Sequence, residues 1–183
     1  MGTLLNRRRY MGGGSAPLPY DAEIEYLQSS GTQWIDTGYK SNNIDSFELI
    51  IVTDGTSNYM GSNGNLQVDL SYGKNLGKRN IKVTHSENYG PITYVNGSLV
   101  NRQFYYRFNG FIIGLYAMGV SSDTVGYYSS AAVFSSQLII NDNLVRDFIP
   151  VRIGTTGYLY DKVSKQLFAN QGTGDFVLGP DKT

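Results

Sequence analysis

The sequence predicts an all-β fold, a sandwich or barrel of about a dozen short strands. Three observations predict it. Tyrosine and glycine are abundant, at 15 and 22 residues, while alanine, glutamate and lysine are scarce, a mixture that favours strands and turns over helices. Apolar residues alternate with polar ones at the two-residue period of a half-buried strand, as in Leu66, Val68, Leu70 and Tyr72. Turn dipeptides recur between the runs, and no sustained helical period appears.

Phe47, Leu49 and Ile51 alternate in the same way, with Ile50 and Val52 giving that strand a second apolar face. Asn96-Gly97, between Ile92–Val95 and Ser98–Val100, predicts a two-residue hairpin, because both residues tolerate positive φ. Asn141-Asp142-Asn143 predicts a second hairpin, between Leu138–Ile140 and Leu144-Val145. Ala132, Phe134, Leu138 and Ile140 share one parity of a late strand. Asp54-Gly55, Asn63-Gly64, Tyr72-Gly73 and Asn109-Gly110 are read as turns, and Asp161–Lys165 as a short turn of helix. The expected core is Trp34, Phe47, Leu49, Leu70, Phe134, Leu138 and Phe148.

The composition break is Gly12-Gly13-Gly14-Ser15, followed by Pro17-Leu18-Pro19. It separates an arm and linker, residues 1–19, from a body, residues 20–183, whose last residues, Gly179–Thr183, read as a frayed end. Formal net charge is zero, but residues 1–9 hold Arg7, Arg8 and Arg9 and no acid, so the remainder is acidic on balance. Such a body is not the broad basic face that nucleic acid requires. No apolar run is long enough for a membrane span, and no apolar segment follows the arginines as a secretory signal would require.

Cysteine is absent, which removes disulfides and thiolate ligands and suits a reducing compartment. The one histidine, His85, excludes a site built on several imidazoles and is read as a solvated residue at a strand end. Of the four glutamates, Glu23 and Glu25 have the spacing of a carboxylate pair, which glycoside hydrolysis needs. They flank Ile24 at the start of the body, so the preferred reading is an exposed edge-strand face. Gly172-Thr173-Gly174 lacks the further residues of a phosphate loop. Asp36, Asp45 and Asp54 stand near strand ends, where they either cap turns or hold a rim calcium. The expectation is therefore no enzyme, no cofactor and no essential metal.

Aromatic residues that could stack on sugars are Trp34, Tyr39, Tyr59, Tyr105, Tyr106, Tyr116, Tyr127 and Tyr128. In the adjacent pairs Tyr105-Tyr106 and Tyr127-Tyr128, the two rings are expected on opposite faces of a strand, one exposed. The arm offers Leu4, Leu5, Tyr10 and Met11 as apolar anchors around the forked donors Arg7, Arg8 and Arg9, a set suited to docking on a partner.

Two motifs bracket the body. Ile24-Glu25-Tyr26-Leu27-Gln28-Ser29-Ser30-Gly31-Thr32-Gln33-Trp34-Ile35-Asp36-Thr37-Gly38-Tyr39 opens it. Leu144–Val151, Gly157–Val163 and Leu167-Phe168-Ala169-Asn170-Gln171-Gly172-Thr173-Gly174-Asp175-Phe176 close it. Together they resemble the laminin-G or concanavalin A-like domains of gut Bacteroidales and their phages, with Trp34 standing where tyrosine is usual. The resemblance implies an antiparallel jelly-roll β-sandwich and supplies no catalytic residues. The arm, Leu4 to Gly13, looks like the start of virion proteins of crAss-like tailed phages. That implies a head fibre or other capsid or tail decoration, made in the host cytoplasm. Its arm would dock on capsid proteins or on sister subunits of a homo-oligomer, and its outward jelly roll could take a glycan. The other reading is a carbohydrate-binding module of a bacterial surface protein.

Overall fold

Two turns set the frame of the fold. Asn96 and Gly97 adopt φ of 49° and 82°, and Asn141 and Asp142 adopt 49° and 61°. Both are the doubly left-handed pairs that match the twist of a two-residue hairpin. The first joins β8 (Tyr89–Val95) to β9 (Ser98–Arg102), and the second joins β13 (Ala131–Ile140) to β14 (Asn143–Ile153). Asn143 is thus the first residue of a strand and not part of the turn. The computed structural model describes residues 17–41, 46–55, 59–62, 68–69, 77–86, 89–102, 112–119, 121 and 123–183. The whole arm proper, with Leu4, Leu5, Arg7, Arg8, Arg9, Tyr10 and Met11, lies outside them, as do Asp45, Leu70, Tyr105 and Tyr106.

All regular structure among the described residues is strand. The larger sheet has eleven strands. Its path begins at β16 (Gln166–Phe168) and β15 (Thr156–Asp161), then runs through β14 and β13 to β4 (Phe47–Gly55). It continues through β7 (Arg79–Ser86) to β8 and β9. Three short strands join off this path: β1 (Ala22–Glu23) on β14, β2 (Leu27–Gln28) on β13, and β17 (Val177–Leu178) on β2. The second sheet has six strands. Its path runs β12 (Val125–Gly126), β11 (Met118–Gly119), β5 (Tyr59–Ser62), β10 (Ile112–Leu115), β3 (Ile35–Lys40), with β6 (Val68–Asp69) on β5. Pairing is antiparallel except between β5 and β11.

One apolar cluster draws on both sheets. Ile35, Ile113 and Leu115 come from the smaller sheet, and Leu49, Ile51, Val83, Val133 and Phe148 from the larger. The fold is therefore sandwich-like, with the core between the sheets. Along β4, Phe47, Leu49, Ile51 and Thr53 are buried, while Glu48, Ile50, Val52 and Asp54 are half-buried on the other face. Asp54-Gly55 belongs to this strand and is not a turn. Of the expected Leu66–Tyr72 strand, only Val68–Asp69 lies among the described residues.

The expected parity of β13 needs correction. Ala131 and Val133 are buried, then Ser136 and Leu138, so the inward series changes parity between them. The cause is a bulge in the β4 pairing between Val133 and Ser135, where an extra residue turns the following side chains over. Phe134 is therefore on the outer face, against Tyr26 at 5.5 Å between ring centroids and beneath the Lys78 ammonium at 4.2 Å. Phe47, Leu49, Leu138 and Phe148 are inside, whereas Trp34 only packs on the core's margin.

Two further expectations change. Asp161–Lys165 is a single α-turn, closed by the Lys165 N–H on the Asp161 carbonyl at 2.8 Å, and Lys165 leaves it with φ of 61°. The C-terminal residues are not frayed. Gly179 N–H donates to Tyr26 O, Glu25 N–H to Pro180 O, and Lys182 N–H to Glu23 O. Arg152 holds Asp181 through two hydrogen bonds of 2.7 and 2.5 Å. Pro150 stands where β14 changes neighbours, between Phe148 opposite Ser136 of β13 and Val151 opposite Glu23 of β1. A proline there withholds an N–H where the ladder is interrupted, and its carbonyl accepts from Ile24.

Candidate ligand-binding cleft

The opening and closing motifs meet in space. Gln171 N–H donates to Trp34 O at 2.8 Å and Thr173 N–H to Thr32 O at 3.2 Å. In return, Thr32 Oγ1 and Gln33 Nε2 donate to Thr173 O at 2.8 and 3.1 Å. Asn170 Oδ1 accepts from Trp34 N–H and Gly172 N–H, and its Nδ2 donates to Gly174 O. Gln33 is buried beneath this seam, and its Oε1 collects Ser29 Oγ and Ser30 N–H. Amide side chains thus take over the backbone pairing that two irregular loops lack.

A cleft of about 370 Å³ opens on the seam. Gly31, Thr32 and Trp34 line it from the opening motif, Gln171, Gly172 and Thr173 from the closing motif, and Tyr128 joins them. Tyr128 is 42% exposed and its neighbour Tyr127, with φ of 54°, is 59% exposed. Neither belongs to a strand, because β12 ends at Gly126, so the expectation of opposite faces does not apply and both rings reach solvent. Below them Ser129 N–H is held by Tyr116 O at 2.7 Å.

Two further sugar-stacking candidates, Tyr39 and Tyr116, serve the core. Tyr116 is fully buried and donates its hydroxyl to Leu27 O at 2.6 Å, while burial pushes the phenol well above its ordinary pKa. Tyr39 lies under the Arg146 guanidinium, 4.7 Å from its ring centroid, with Phe168 at 5.1 Å from the same group. Arg146 also donates to Thr37 O and contacts the Asp161 carboxylate at 3.4 Å. Asp161 has no exposed side-chain surface and accepts N–H bonds from Asp147, Val163 and Ser164. Much of the closing motif therefore builds a structural hub. The side chain of Tyr59 lies outside what is described.

The charged candidates are dispersed. Glu23 accepts from Tyr20 Oη at 3.2 Å and faces Lys182, while Glu25 is exposed over a separate hollow shared with Lys78 and Phe134. His85 is not solvated: it is 2% exposed and packs against Phe47, because β7 continues through it in inward register. Asp36 Oδ1 accepts from Gly38 N–H at 2.8 Å, a turn cap, and Asp54 lies within the β4–β13 ladder. Among the described residues no three of His, Asp and Glu gather as metal ligands.

A wider hollow of about 570 Å³ lies on the outer face of the large sheet, around Tyr94, Ile50 and Lys82. Lys82 is held there by Glu48 at 2.5 Å. Tyr94 was not among the sequence candidates. The alternation leading into the Asn96-Gly97 turn, with Thr93 buried and Tyr94 not, is the signal for it.

Fold and cleft together define a sandwich-like all-β protein with a small cleft on a hydrogen-bonded loop seam, lined among the described residues by aromatic and uncharged side chains. Compared with protein-family models, with curated proteins and with solved structures, the chain matches none.

Proposed function

We propose that the chain is a non-catalytic, glycan-binding jelly-roll β-sandwich that decorates a phage virion. The observation that carries the glycan part is that Trp34 and Tyr128 line one cleft together with Thr32, Gln171 and Thr173. Aromatic faces stack on the C–H face of a pyranose, and fixed polar groups orient its hydroxyls. The seam holds the walls in place before a ligand arrives, which limits the ordering cost of binding. The virion part rests on the arm, with its arginines Arg7–Arg9 between apolar anchors and its triglycine joint. Membrane and nucleic acid are not partners in this reading.

A glycan panel, read by fluorescence of the single tryptophan, tests the first part. Binding should shift Trp34 emission, and Tyr128→Ala should remove it without lowering the melting temperature. Equal binding by that variant would sink the cleft. For the second part, particles assembled with a chain lacking residues 2–11 should lose the protein. Particles carrying it at full copy number would refute the anchor.

A carbohydrate-binding module of a bacterial surface protein is the second reading. The adjacency of the ends, with Lys182 N–H on Glu23 O at 2.8 Å, favours it, since a module with neighbouring ends inserts easily into a longer chain. Absence of the protein from purified particles, with glycan binding retained, would select it.

A further inference from the structure

Resting on the glycan reading, we infer that the cleft selects uncharged, hydroxyl-rich sugars and rejects acidic ones. Recognition of a carboxylate, sulfate or phosphate requires a cation or a cluster of unspent N–H donors. The described lining residues include no charged side chain. Most of their backbone donors are already spent. Gly31 N–H bonds to Ser29 Oγ, Trp34 and Gly172 N–H to Asn170 Oδ1, Gln171 N–H to Trp34 O, and Thr173 N–H to Thr32 O.

What remains is neutral: the Trp34 indole N–H only donates, and the other polar side chains offer acceptors or hydroxyls. Thr32 Oγ1 gives its hydrogen to Thr173 O, so toward a ligand it is an acceptor. The Gln171 amide donates one hydrogen to Ala169 O, which leaves its carbonyl oxygen and its second N–H. The hydroxyls of Thr173 and Tyr128 can donate or accept. Acceptors therefore line the rim beside isolated neutral donors, with no cation among the described residues. A sugar hydroxyl satisfies such acceptors, and an anionic group, which only accepts, leaves them unpaired and loses its own hydration.

The test uses the full chain and matched pairs: a neutral oligosaccharide and the same chain bearing a terminal carboxylate, drawn from both β-glucan and galactose-terminated series. Trp34 fluorescence reports occupancy, because it is the only tryptophan. The neutral members should bind with little dependence on salt, and each acidic partner should bind about tenfold more weakly or worse. Thr173→Lys should narrow or reverse that ratio by supplying the missing cation. An acidic member that binds as tightly as its neutral partner, with the same Trp34 response, overturns the inference while leaving the glycan reading standing. No Trp34 response to any member overturns the glycan reading and this inference with it.

Discussion

A carbon atom added to Gly172 would stand 1.9 Å from the carbonyl oxygen of Thr32, so the two walls of the cleft meet backbone to backbone. No side-chain rearrangement relieves that overlap. Gly172→Ala should destabilise the fold by about 1–3 kcal/mol and open the seam. Thermal melting checks the first effect. The second appears as faster amide exchange at Gln171 and Thr173, whose N–H groups cross it.

The hub beneath the closing motif should set acid stability. Burial alone would raise the Asp161 pKa, but N–H donors from Asp147, Ser164 and Val163 prevail and hold it below the ordinary carboxylate range. The folded value thus lies below the unfolded one, about 3.9. This stabilisation is fully present above the unfolded value and is lost as the pH falls through the folded one. Asp161→Asn should flatten that part of the melting-temperature profile. It should also cost on the order of 3 kcal/mol at neutral pH, because Arg146 loses its buried counter-charge.

Tyr116 should resist ionisation. Its phenol is buried and bonded to Leu27 O, so an alkaline absorbance titration should show it ionising only as the protein unfolds. Tyr116→Phe should cost about 1–2 kcal/mol, from the lost bond and the carbonyl left without it. A variant as stable as the parent would mean that bond contributes nothing.

The bulge in β13 makes two phenylalanines unequal. Phe148→Ala should cost about 3–5 kcal/mol, since that ring is wholly buried and edge-on to Phe168 at 5.0 Å. Phe134→Ala should cost much less, about 1 kcal/mol, because its ring is half-buried on the outer face, against Tyr26 and Lys78. Chemical denaturation of both variants checks the difference, and equal losses would contradict the register.

Local chemistry was readable from the residues. Asn96-Gly97 and Asn141-Asp142 tolerate positive φ wherever they occur, and the alternation of Phe47, Leu49 and Ile51 places them inward without reference to the rest of the chain. What escaped depends on partners distant in sequence. Phe134 keeps a period-2 position, but the bulge that turns it outward is a property of the β4 pairing. His85 looks polar and terminal until β7 is seen to run through it. Trp34 and Tyr128 were both candidates for sugar stacking, yet nothing local says that one cleft holds them. That follows from contacts such as Thr32 with Thr173, 141 positions apart. The two motifs were legible as a pair, but not the reason for the pairing, which is that each supplies the other's hydrogen-bond partners.

The short strand β2 lies between β13 and β17, with Leu27 opposite both Val133 and Leu178. During synthesis, Leu27 leaves the ribosome long before either neighbour exists. Its pairing with Val133 must wait for about 105 further residues and that with Leu178 for about 150, so this corner assembles late, through long loop closures. A circular permutant that joins residue 182 to residue 22 and opens the chain at Gly97 would turn the pairing of β2 with β17 into a local one. It would shorten the search while keeping the strand pairings of the finished sandwich.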